Sequence, residues 1–148
     1  MLLIELSPQE MDSLRAVGHL HEHKTGDYII REGADAHSLF VLLEGDVEVM
    51  KTIDKSRVKP LRKLQKGSFF GEISFLDPTL PRTASVVALT RCAVLELTAE
   101  SFEKLFVTNP SASMKILKNL AKDLAVKLKK TTDELKKTVA WVLDEMEI

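Results

Sequence analysis

The chain has 148 residues, a formal net charge of −1, 45% hydrophobic residues and one cysteine. A near-neutral balance recommends neither nucleic acid nor an anionic membrane surface as a direct partner, and the lone Cys92 excludes an internal disulfide. No apolar run approaches membrane-spanning length and no basic-then-apolar leader opens the chain, so it reads as one cytoplasmic domain with appended helices.

Ser7-Pro8-Gln9-Glu10 is a helix start: serine at the N-cap, proline at the first helical position, glutamate closing a capping box. The helix it predicts, Pro8 to Val17, places Met11, Leu14 and Val17 on one face and stops at Gly18. From there to Leu97 the pattern is that of strands. Tyr28 to Ile30, Leu39 to Leu43, Val47 to Met50, Val58 to Leu64, Ser85 to Leu89 and Cys92 to Leu97 are short, rich in β-formers and separated by turn residues. Gly26, Gly33 and Gly45 mark three of those turns, and Thr52 to Pro60 reads as a polar hairpin loop. Such spacing predicts an antiparallel barrel or sandwich.

The stretch from Phe69 to Val86 differs from the rest. A strand ends in Phe69-Phe70, Gly71 allows close backbone approach to a ligand, and one helical turn follows over Ile73 to Leu76. Unpaired N–H groups at such a turn can face an anion. Pro78 and Pro81 stop the helix, and the returning chain delivers Arg82, whose five-donor fork suits phosphate oxygens. Glu72, an acceptor when ionised, suits a sugar hydroxyl. The plainer reading is a glycine turn plus an arginine in a surface salt bridge.

Thr98 caps a further helix with Phe102, Leu105 and Phe106 on its inner face, and Asn109-Pro110 breaks it. Ser111 starts the last element, a helix with no breaker up to Ile148 that would reach roughly 55 Å. Leu128, Leu135 and Val142 recur every seven residues, with Leu117, Leu124, Thr131 and Thr138 as the companion row. Such a seam calls for a partner helix. Residues 1–110 and 111–148 are therefore taken as two functional parts. The many lysines of the last helix alternate with acids, as on a wet face.

Gly71-Glu72 followed ten residues on by Arg82-Thr83-Ala84 resembles the phosphate-binding cassette of the cyclic-nucleotide-binding family, with the spacing of its bacterial cAMP-receptor regulators. The resemblance runs from about Thr25 to Leu97 and implies a jelly-roll β-domain, mainly β with flanking helices. It implies that Glu72 binds the ribose 2′-hydroxyl, that Arg82 pairs with the exocyclic phosphate oxygens, and that Thr83 adds a hydroxyl. Backbone amides of Ile73, Ser74, Thr83 and Ala84 would complete a cradle opened by Gly71. Ser74 stands where the family commonly has a small apolar residue. Val49, Leu61 and Leu64 would line the ribose and base, or serve as plain core. Thr131 and Thr132 look like the adjacent hydroxyl residues of the regulators' long helix that reach the adenine from each subunit; a register-setting polar residue is the other reading of Thr131. Lys127 falls where that helix can carry an arginine near the nucleotide.

The resemblance thus implies a sensor without chemistry of its own, needing no cofactor, binding cAMP or alternatively cGMP, and forming a homodimer through residues 111–148. The bacterial regulators follow the long helix with a helix-turn-helix DNA reader, for which there is no room before Ile148. A free-standing sensor and the sensory fragment of a transcription regulator both fit. One enzyme alternative exists. His19, His21 and His23 would share one strand face, as in a cupin-like metal site, but Glu32 lies too far on for that pattern, which favours solvated histidines. Cys92 reads as a small packed hydrophobe.

Overall fold

The computed structural model describes residues 5–147. Eight strands form two antiparallel four-stranded sheets, ordered β1-β8-β3-β6 and β2-β7-β4-β5. The strands are β1 (His19–His23), β2 (Tyr28–Ile30), β3 (Leu39–Glu44), β4 (Val47–Asp54), β5 (Arg57–Leu64), β6 (Phe69–Phe70), β7 (Ser85–Ala88) and β8 (Cys92–Leu97). The helices are α1 (Pro8–Val17), α2 (Glu72–Leu76), α3 (Ala99–Thr108) and α4 (Pro110–Met146). The expected β-roll with a long C-terminal helix is the fold observed.

Alternation along the strands explains the core. Phe40 and Leu42 of β3, Val47 and Val49 of β4, Phe70 of β6, Val86 and Ala88 of β7, and Cys92 and Val94 of β8 form one buried cluster with Ile30. Each residue points inward by the two-residue period of its strand, and burying one such side chain stabilises by about 1.5–3 kcal/mol. Gly26, Gly33 and Gly45 all have positive φ, as their turns require.

Three local expectations are corrected. Thr52 to Pro60 is not a loop: β4 runs on to Asp54 and β5 begins at Arg57, leaving a two-residue turn. Its polar composition reflects a hairpin arm at the sheet edge, where β5 is almost wholly exposed and Pro60 needs no outer hydrogen bond. The last helix starts earlier than Ser111. Pro110 is its first residue and Asn109 its cap, accepting from the Ala112 amide at 3.3 Å. Phe106 is 41% exposed, touching Phe102 edge-on, whereas Phe102 and Leu105 are buried. The described chain divides into two compact units, up to Lys115 and from Ile116 onward.

In the first unit the capping box forms as read. Ser7 Oγ accepts from the Glu10 amide at 3.1 Å and the Ser7 amide donates to Glu10 Oε1 at 2.8 Å. Glu10 then ties α1 to the start of α4 by accepting from Ser111 Oγ at 2.8 Å and Lys115 Nζ at 2.7 Å. In the second unit Ile116, Asn119 and Leu120 are buried, and beyond them Val126, Leu128, Leu135, Val139, Trp141, Val142, Leu143 and Met146 are exposed. No helix among the described residues is long and apolar enough to cross a membrane.

Candidate ligand-binding site

The Phe69–Val86 excursion leaves β6 and returns on β7, so its two ends are fixed in opposite sheets. Gly71 caps α2 at φ +79°, a conformation that glycine alone adopts without cost. The Arg82 backbone is clamped by the turn after β2: its amide donates to Ala34 O at 2.9 Å and its carbonyl accepts from Gly33 N at 2.8 Å. Thr83 is held in turn by Lys51, whose ammonium donates to its carbonyl.

Gly71, Glu72, Ile73, Ser74, Arg82, Thr83 and Ala84 converge on one cleft, together with Ile30, Val49, Arg62, Phe70 and Val86. The cleft is small, enclosing about 50 Å³, and opens to solvent. Its apolar side comes from the core cluster and its polar side from the excursion.

Arg82 dominates the electrostatics. It is 4% exposed, and Nη1 donates to Gly71 O at 3.1 Å and to Ser74 Oγ at 2.9 Å, while Nη2 donates to Ser38 Oγ at 3.1 Å. Cζ lies 5.7 Å from the centroid of the Phe40 ring. Nε is buried without a hydrogen-bond partner among the described residues. Burial lowers the pKa of the guanidinium, and the carboxylates of Glu96 and Glu72 oppose that. Ser74, the departure from the small apolar residue, is buried and spends its hydroxyl on Arg82.

Other expected residues fall elsewhere. Leu61 and Leu64 do not line the cleft; Arg62, between them, does. The reason is a bulge: Val49 pairs with Arg62 and Met50 with Pro60, which leaves Leu61 as the extra residue, 44% exposed. Leu64 pairs with Val47 and packs on the core cluster. Arg62 makes no hydrogen bond or ion pair with a described residue. Its signal in the sequence is parity: it lies two residues before Leu64, which packs on the core cluster. Thr131 and Thr132 are exposed on α4, in the second unit, and Lys127 pairs there with Asp123 at 2.8 Å. His19, His21 and His23 occupy the edge strand β1, where His21 meets Glu96. Among the described residues no three potential ligands converge on a metal position.

By fold and site this is a small-ligand-binding β-roll with a buried guanidinium at its mouth. The family described as cyclic nucleotide-binding domain matches residues 20–109, and the chain belongs to that family. It is 29% identical over 108 residues to the Salmonella typhimurium protein named cAMP-activated global transcriptional regulator CRP, covering 73% of this chain and 51% of that protein. Thus the chain spans about half the length of such curated relatives. It is also 37% identical over 127 residues to Glutaminase 2 of Bradyrhizobium diazoefficiens, covering 86% of this chain but 19% of that enzyme. Among solved structures it resembles the Thermus thermophilus Catabolite Activator Protein, with a TM-score of 0.78 and 28% identity, over 91% of this chain and 61% of that one. The family is regulatory; the glutaminase match spans too little of that enzyme to carry its activity here.

Proposed function

We propose that the protein is a cytoplasmic cyclic-nucleotide sensor, with cAMP as its ligand, that carries no chemistry of its own. The observation that carries this reading is the orphaned donor of Arg82. A guanidinium buried to this degree with Nε unpartnered bears a cost that a ligand oxygen would remove. A cyclic phosphate supplies two adjacent oxygens for Nε and the remaining Nη2 proton. Glu72, beside it in the same cleft, then takes the ribose 2′-hydroxyl, and Thr83 with the amides of Ile73, Ser74 and Ala84 completes the phosphate cradle.

Residues 1–110 form the sensing part and residues 111–148 the reporting part. The exposed row Leu128, Leu135 and Val142 supports a homodimer along the last helix, with Thr131 of the companion row and the adjacent Thr132 meeting the base. Ligand then shifts the population toward the helix arrangement that closes over the base. The curated relatives named as transcription regulators support a place in a longer regulator; neither cofactor nor direct nucleic-acid contact by this part is required.

A second ligand, cGMP, is favoured by one observation. Arg62 brings donors without acceptors to the cleft, a match for O6 and N7 of guanine, whereas adenine presents an acceptor beside a donor. Calorimetry with cAMP, cGMP and 5′-AMP tests the reading. Binding of a cyclic nucleotide with little response to 5′-AMP is expected; equal binding of 5′-AMP, or none by any, would refute it.

A further inference from the structure

Arg82 is held from behind by a chain of polar groups leading away from the cleft. Nη2 donates to Ser38 Oγ at 3.1 Å, Ser38 donates its proton to Glu96 Oε2 at 2.6 Å, and Glu96 Oε1 meets His21 Nε2 at 2.9 Å. Ser38 sits just before β3, Glu96 on β8 and His21 on β1, and these strands are neighbours in one sheet.

The direction of the chain follows from proton counting. A serine hydroxyl has one proton, and here Glu96 takes it, so toward Arg82 the oxygen can only accept. Glu96 accepts here, as an ionised carboxylate does. Burial works against that, yet hydrogen bonds from Ser38 and His21, aided by the nearby His19, hold its carboxyl below the usual range. On Arg82 itself, Nη1 has both protons engaged by Gly71 O and Ser74 Oγ, and Nη2 has one engaged by Ser38. Only Nε–H and the second Nη2 proton remain.

We propose that Ser38 and Glu96 are positioning residues: they lock the Arg82 fork in the one orientation that leaves its Nε–Nη2 donor pair for an anion. The ligand side of this inference rests on Arg82 meeting a ligand phosphate, but the locking does not. Neither residue belongs to the Phe69–Val86 excursion, and both reach it only through the fold.

The first test needs no ligand. In the free protein, NMR of the Arg82 guanidinium, assigned by Arg82→Lys, reports rotation about its Cζ–N bonds. Ser38→Ala and Glu96→Ala should each speed that rotation about tenfold, the equivalent of one lost charge-assisted hydrogen bond. Ser38→Thr, which keeps the hydroxyl, should restore slow rotation. Unchanged rotation in Ser38→Ala would overturn the inference whatever the protein binds. The second test is calorimetry with cAMP and cGMP. Ser38→Ala should weaken binding about tenfold in the wild-type background and not at all on top of Arg82→Ala. Equal losses in both backgrounds would mean general damage and would also overturn it. A wild type that bound neither nucleotide while Arg82 rotation responded to Ser38→Ala would refute the cyclic-nucleotide reading and leave the positioning role intact.

Discussion

A Cβ built on Gly71 would lie 2.8 Å from Nη1 of Arg82. The glycine and the arginine therefore form one unit: the missing side chain is the space the guanidinium occupies. The same Cβ would meet Ser38 O at 3.0 Å and Ile30 Cδ1 at 3.1 Å, so there is no slack on the other side.

Gly71→Ala should accordingly lose more than backbone freedom. Its φ of +79° costs an alanine about 1–2 kcal/mol, and displacement of Arg82 adds to that. Gly26 is the control, with φ +90° and nothing within 4 Å of its Cβ. Thermal unfolding and nucleotide titration of both alanine variants should show comparable backbone penalties but a loss of affinity in Gly71→Ala alone.

Much of this unit was legible because it is local: Gly71, Glu72 and Arg82 lie within one short excursion whose turn chemistry can be read directly. The capping box at Ser7 and Glu10 and the inward parity of most strands were legible for the same reason. What was not legible is non-local or register-dependent. Ser38 is 44 residues from Arg82, and Glu96 is 58 residues from Ser38. Arg62 shares the inward parity of Leu64, but a charged residue gives no apolar signal there, and the bulge at Leu61 shows only in the strand pairing. The sequence marks Thr52 to Pro60 as a loop because an exposed edge strand lacks the apolar alternation that identifies strands.

Arg62 should read the base. If it donates to guanine, Arg62→Ala weakens cGMP binding by about 1–3 kcal/mol and cAMP binding much less. Equal losses for the two nucleotides, measured by calorimetry, would reduce Arg62 to a general electrostatic role.

Glu10 should make stability acid-sensitive. Lys115 first, then the Ser7 amide and the Ser111 hydroxyl, lower its pKa from 4.5 to about 2. Because the folded value is depressed, the stabilisation is complete above about 4.5 and fades as pH falls toward about 2. The Tm difference between wild type and Glu10→Gln should be positive at neutral pH and close over that interval. A gap that stays constant down to the acid end would contradict the assignment.

The exposed seam of the last helix should hold two chains together. Leu128 and Leu135 are 69% and 62% exposed at heptad spacing. Sedimentation velocity should find a dimer for the wild type and a monomer for Leu128→Glu/Leu135→Glu. A monomeric wild type at high concentration would remove both the seam and the contribution of Thr132 from a second subunit.

The central claim is that Arg82 holds the phosphate of a cyclic nucleotide, and calorimetry of Arg82→Ala beside the wild type tests it most directly. Removing the guanidinium should cost about 3–5 kcal/mol of binding free energy, since it leaves the phosphate charge poorly solvated and unpaired. Arg82→Lys should recover only part, because a point charge does not replace a planar two-donor edge. A folded Arg82→Ala protein that binds the nucleotide as tightly as the wild type would contradict the claim.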